Sequence, residues 1–177
     1  GTASVVRMMI EHNLPREGIQ KIFYNGPMFR HERPQKGRYR QFHQVGAEVF
    51  GASDAKIDAE LISLTDSLWK SLGINARLEI NSLGSKESRS AYRNILTGFF
   101  NENISQLDED SLRRLKTNPL RILDSKNKDL ELLISNAPKM IDHLDDESKE
   151  HFTILKTYLN KLDIPYEINP KLVRGLD

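Results

Sequence analysis

Cysteine is absent from the chain, which removes a disulfide framework and thiolate chemistry together and excludes a small disulfide-stapled fold. Long apolar runs are missing too. No stretch approaches the roughly 20 residues that a membrane-spanning helix needs, and none reads as a signal peptide. Neither sign of charge is in excess: 26 Lys and Arg stand against 25 Asp and Glu, a net charge of +1. That balance argues against a general nucleic-acid binder, although a local basic cluster can still touch phosphates. The five histidines, His12, His31, His43, His143 and His151, offer no pair at metal-ligand spacing with a third ligand, so no tightly bound metal is expected. Repeats and low-complexity segments are also lacking. What is left is a globular chain of 177 residues, 38% hydrophobic and 29% charged, long enough to bury a sizeable core in one domain or one and a half. A cytoplasmic location is the expectation.

The most informative stretch is FYNGPMFRHERPQKGRYRQFHQVGAEVF, residues 23–50. Its centre carries five cations, Arg30, Arg33, Lys36, Arg38 and Arg40, against one acid, Glu32, with Pro34 and Gly37 as turn residues. On either side, residues 21–29 and 41–50 are rich in aromatic and β-branched side chains. The pattern predicts two antiparallel strands joined by a long basic loop. On the returning strand a period of two puts Phe42, Gln44, Gly46 and Glu48 on one face and Val45, Ala47 and Val49 on the other. The apolar face is expected to be core. The other could hold a ligand: Gly46 leaves room against the backbone, Phe42 offers a flat ring, Gln44 and Glu48 present hydrogen-bonding groups, and Arg30 adds a cation. A ring for a base, arginines for phosphates and a carboxylate for an N–H-bearing group suit a nucleotide and a small second substrate. The plainer alternative is a hairpin with a solvated basic loop.

Elsewhere the pattern is ordinary. Thr2 reads as a helix N-cap before an apolar stripe of Val5, Met8 and Met9. Ser53 or Asp54 starts a helix whose Ile57, Leu61, Leu64, Leu68 and Leu72 recur at helical spacing and are expected, with Trp69, in the core; Gly73 marks its end. A strand over 77–81 follows. Helices are predicted over 86–101, 108–116, 129–135 and 145–162, the last with a stripe of Phe152, Leu155, Leu159 and Leu162. Asp108 to Asp110 and Asp145 to Glu147 read as helix-start charges, and Gly84-Ser85 lacks the glycine spacing of a phosphate loop. Strands resume over 166–169 and 172–176. A helical block flanked by strands reads as an insertion into a sheet. The organisation is therefore α+β, with residues 1–84 as part of a catalytic core, 85–165 as a helical insertion and 166–177 as the return to the core.

FRHERPQKGRYRQFHQVGAEVFG, with GTAS upstream and LVRGLD downstream, resembles the histidyl-tRNA synthetase family of class II aminoacyl-tRNA synthetases. TNPLRILDSKN and the helical insert are similar to the bacterial-type members, so the likeness runs through the whole chain. It implies a partial antiparallel class II sheet flanked by helices. It also implies ATP-dependent activation of L-histidine to histidyl-adenylate, ATP bringing Mg2+, followed by transfer to tRNA(His) in a homodimeric, cytoplasmic enzyme. By residue, Arg30 matches the arginine on the α-phosphate. Glu32 matches the acid near adenine, Phe42 the ring stacked on it, and Arg38 a loop arginine on the ATP phosphates. Thr2 and Gln44 match residues around the α-amino group of histidine, and Glu48 the carboxylate facing its imidazole. Arg174 matches a second arginine at the α-phosphate that also touches histidine.

The resemblance further implies that a first dimer-forming motif, a third ATP-binding motif and an anticodon-binding domain are not in these 177 residues, so the chain alone is expected to be an inactive fragment. The helical insert either touches the tRNA acceptor arm or acts as a lid or spacer. A second reading on the same fold is the regulatory synthetase paralogue that partners ATP phosphoribosyltransferase in histidine biosynthesis, a binding module rather than an enzyme.

Overall fold

The computed structural model describes residues 1–173, and two compact units divide the chain, Gly1–Leu61 and a second beginning at Ile62. In the first unit, helix α1 (Thr2–Glu11) buries Val5 and Met9, one turn apart. Strands β1 (Gln20–Phe29) and β2 (Gln41–Phe50) form an antiparallel hairpin in which Ile22 faces Glu48, Tyr24 faces Gly46, Gly26 faces Gln44 and Met28 faces Phe42. The alternation predicted for β2 is present, but the covered face is the opposite one. Phe42, Gln44, Gly46 and Glu48 are half-buried, whereas Val45 is 64% exposed and Phe23 on the neighbouring strand 80% exposed. The start of α1 lies over the polar face, where Gly1 and Thr2 reach Tyr24 and Glu48.

Helix α2 (Ala55–Ser71) begins in the first unit, where Ala55 and Ala59 are buried and Glu60 pairs with Lys21 at 2.5 Å. It ends as Gly73 predicts: the residue takes φ +68° and the N–H of Ile74 bonds back to the Trp69 carbonyl. Its leucine stripe is not core in this chain. Leu64, Leu68 and Leu72 are all exposed, since no described element covers them, and Trp69 is half-buried.

The second unit is mainly helical. Strand β3 (Glu79–Ile80) leads into α3 (Lys86–Glu102), α4 (Glu109–Thr117), the short α5 (Glu131–Ser135) and α6 (Asp146–Lys161), and strand β4 (Glu167–Ile168) returns parallel to β3. Tyr92, Leu96 and Phe100 recur at four-residue spacing on α3 and are fully buried against Ile122, Leu130 and Met140. On α6, Phe152, Leu155 and Leu159 are buried as expected, while Leu162 just past the helix is exposed.

Both acidic clusters are caps. Asp108 accepts the N–H of Ser111 and Asp145 that of Ser148, each at 2.8 Å. Asp145 also accepts the Ser88 hydroxyl at 2.5 Å, while its own N–H donates to that hydroxyl oxygen at 2.9 Å. The starts of α3 and α6 are thereby tied through one carboxylate. These donors, the Ser88 hydroxyl first, hold the Asp145 carboxyl far below the usual carboxylate range. A depressed folded value means stability that is complete above the unfolded Asp pKa of about 3.9 and is lost as pH falls toward the folded value. Asp145→Asn should therefore lower the melting temperature at pH 7, with the gap to the parent chain narrowing below about pH 4. Thermal melts at stepped pH check this; a gap independent of pH would rule out the charge as its source.

Candidate active site

The site is built on the half-buried face of the hairpin and on the loop at its open end. Beyond the last strand pair the ladder continues, with the Arg30 N–H donating to the Arg40 carbonyl at 2.8 Å. Gln35 and Arg38 then exchange both backbone bonds around Lys36 and Gly37, the glycine at φ +77°. The loop is thus a narrow finger held by its own backbone, with residues 31–40 exposed. Its cations are not all splayed into solvent. Arg38 pairs with Glu32 through two contacts, Nε to Oε2 at 2.5 Å and Nη2 to Oε1 at 3.0 Å, and Arg40 Nε donates to the Glu32 carbonyl. Arg30 Nε donates to the Tyr39 carbonyl at 2.8 Å, and its guanidinium carbon lies 4.5 Å from the centroid of the Phe42 ring.

Further along the same face sits the second group. Thr2 is not an N-cap: Gly1 takes that position without a side-chain bond, and the Thr2 hydroxyl donates instead to Glu48 Oε1 at 2.6 Å. Helix α1 thus pins one oxygen of the Glu48 carboxylate. Gln44 Nε2 lies 3.5 Å from the Tyr24 hydroxyl. From Phe42 to Glu48 the strand advances about 20 Å at the usual rise, so the aromatic and cationic end and the carboxylate end share one face without touching. Among the described residues, no group of three or more His, Asp or Glu is placed to hold a metal ion.

The expectation for Gly46 needs correction. The space beside it is filled by Tyr24, whose ring would lie 2.2 Å from a Cβ at 46 and 2.3 Å from a Cβ at Gly1. Cross-strand pairing puts this ring over the glycine. Tyr24 is a further residue of this face that the pattern of β2 alone does not show; the register of residues 21–29 against 41–50 places it there. Of the other site residues, Thr2, Arg30, Glu32, Arg38, Phe42, Gln44 and Glu48 are brought to this hairpin face and its loop. Arg174 lies outside the described residues.

A family model described as histidyl-tRNA synthetase matches residues 1–177. The chain belongs to the histidyl-tRNA synthetase family. It is 68% identical over 178 residues to a histidine–tRNA ligase of Ruthia magnifica subsp. Calyptogena magnifica and 60% identical to one of Hydrogenovibrio crunogenus. All of the chain, and 42% of each of these relatives, is covered. The crystal structure of apo S. aureus histidyl-tRNA synthetase superposes with a TM-score of 0.75 at 40% identity, over 99% of this chain and 41% of that one. The chain therefore spans about two fifths of the length of the histidyl-tRNA synthetases it matches, and its α+β fold is theirs. None of these relatives is a regulatory paralogue, so the second reading gains no support.

In a histidyl-tRNA synthetase hairpin packed in this way, a methyl group at position 46 has nowhere to go. Tyr24 is confined by Gly1 on one side and Gly46 on the other. Gly46→Ala should destabilise the chain by about 1–3 kcal/mol through overpacking. Tyr24→Ala should recover part of that loss in a double-mutant cycle read by denaturant unfolding. Strict additivity of the two substitutions would show that the ring and residue 46 do not meet.

Proposed function

We propose that this chain supplies the substrate-recognising hairpin and the helical insertion of a histidine–tRNA ligase. The full-length protein would activate L-histidine with ATP to histidyl-adenylate and pyrophosphate, then transfer the histidyl group to tRNA(His). The observation that carries this reading is the strand face itself: an arginine stacked on a ring at one end and a carboxylate pinned by a threonine at the other, in a chain 60–68% identical to histidine–tRNA ligases.

The chemistry asks little else of the protein. A carboxylate oxygen of histidine attacks the α-phosphorus of ATP, the bond to the bridging oxygen breaks, and pyrophosphate leaves with the electron pair. The nucleophile is already ionised, so no general base is required. Two anions must nevertheless be brought together while charge builds on the phosphoryl oxygens, and fixed cations meet that need. In this reading Arg30 binds the α-phosphate, Arg38 the outer phosphates and Phe42 stacks on adenine, with Glu32 beside the base. Thr2 and Gln44 surround the α-amino group, Glu48 accepts an imidazole N–H, and Arg174 is the second α-phosphate arginine. Glu32 and Arg38 neutralise each other in this structure, and the Arg30 guanidinium covers one face of Phe42. ATP binding would exchange these internal partners for phosphate and base.

ATP would arrive with Mg2+, the assembly would be a homodimer in the cytoplasm, and residues 85–165 would form an insertion between core segments 1–84 and 166–177. The test is histidine-dependent exchange of labelled pyrophosphate into ATP by the full-length protein. Exchange with histidine and with no other amino acid is expected. Its absence under conditions where the protein is folded would overturn the reading.

A further inference from the structure

The Tyr24 ring is wedged between two stretches of backbone that carry no side chain. A Cβ on Gly1, the residue before α1, would collide with the Cε2 edge of the ring, and a Cβ on Gly46, its cross-strand partner in β2, with the Cε1 edge. Both peptides therefore meet the ring at packing distance, and the two glycines let the start of α1 come within one side chain of the strand. Gly1 is not loose at this point. Its carbonyl accepts the N–H groups of Ser4 at 3.0 Å and Val5 at 3.1 Å, so it moves with the first turn of the helix. All of these residues belong to the first unit.

Along β2 the ring is flanked by the two polar side chains of the same face. Gln44 Nε2 lies 3.5 Å from the Tyr24 hydroxyl, and on the other side of Gly46 stands Glu48. Thr2, next to Gly1, donates its hydroxyl to Glu48 Oε1 at 2.6 Å. The contacts close on one another: Gly1 rests on Tyr24, Tyr24 on Gly46, and Thr2 reaches Glu48. A hydrogen bond weakens steeply as its distance and angle leave their favoured range. The separation of Gly1 from the strand decides whether Thr2 reaches the carboxylate, and the ring sets that separation. A smaller side chain at position 24 would leave the start of α1 without a stop.

We infer that Tyr24 is a positioning residue for histidine recognition, its ring being the spacer that holds the start of α1 where Thr2 orients the Glu48 carboxylate. The inference rests on the proposed roles of Thr2 and Glu48 toward histidine. It is selective by construction. Phe42 is separated from Gly46 by roughly 13 Å of strand at the usual rise, and Arg30 lies past the end of β1. The end of the face assigned to ATP is therefore outside the path from Tyr24 to Glu48.

The experiment uses the full-length protein, with separate calorimetric titrations of histidine and of ATP into Tyr24→Leu, Tyr24→Phe, Thr2→Ala and the Tyr24→Leu, Thr2→Ala double variant, and a thermal melt of each. Tyr24→Leu should weaken histidine binding by about 10-fold, the lower end of what a hydrogen bond to a charged group contributes, with ATP binding at the parent's value. Tyr24→Phe keeps the ring and should recover most of the affinity. Once Thr2→Ala has removed the hydroxyl, Tyr24→Leu should cost little more. Equal losses for histidine and ATP, a phenylalanine variant no better than the leucine one, or full additivity with Thr2→Ala would each overturn the spacer. If Tyr24→Leu does not fold, Gly1→Ala, which sets a methyl group against the ring from the helix side, should give the same histidine-selective loss; parental affinity in that variant would equally overturn it. A parent that does not bind histidine would instead sink the functional reading, so the two failures are distinguishable.

Discussion

Arg30→Lys in the full-length protein should slow histidine-dependent pyrophosphate exchange by about 10²- to 10³-fold, the cost typical of losing one preorganised donor to a developing oxyanion. Charge is retained in this substitution, so the loss isolates geometry. Arg30 Nε is committed to the Tyr39 carbonyl at 2.8 Å, which aims the remaining N–H groups as a rigid fork. A lysine has one mobile ammonium group and no plane to stack. Because a fixed fork helps most where negative charge accumulates, the effect should fall chiefly on kcat rather than on ATP binding. Exchange at saturating ATP and histidine checks this. Parental rates would remove Arg30 from the chemistry.

Glu48→Ala should weaken histidine binding by about 1.5–3 kcal/mol, roughly 10- to 100-fold, the range for a hydrogen bond to a charged group. ATP binding should change little. The Thr2 hydroxyl donates to Oε1 at 2.6 Å and so orients the carboxylate; in the proposed reading the other oxygen would accept an imidazole N–H. In that reading half-burial would sharpen the choice of substrate, because an apolar amino acid would cover this acid without giving it a donor. Glu48→Gln keeps an acceptor for Thr2 but loses the charge, and should fall between Glu48→Ala and the parent. Separate calorimetric titrations with histidine and ATP decide it: equal losses for both ligands would count against a role in histidine recognition.

How far the sequence could be read depended on how local the cause was. The two strands, the basic loop between them, the Asp108 and Asp145 caps and the Gly73 stop all follow from backbone geometry within a few residues, and they stand where the pattern puts them. Thr2 shows where local reasoning stops. Its hydroxyl could cap its own helix or reach another element, and it reaches Glu48, 46 residues away. The same limit explains Leu64, Leu68 and Leu72. Helical spacing puts them on one stripe, yet a stripe is buried only if something packs on it, and in this chain they remain exposed.

By itself, then, the sequence determined which side chains share a face, because successive Cβ atoms of a strand must point to opposite sides; it also determined family membership, through a long stretch of matching residues. Only the tertiary structure decided that α1 covers the polar face of the hairpin and that Tyr24 lies over Gly46. It decided likewise that Glu32 closes on Arg38 and Arg30 on Phe42. The physical reason is that alternation is a property of one strand, whereas covering a face or pairing two charges depends on where separate parts of the chain meet.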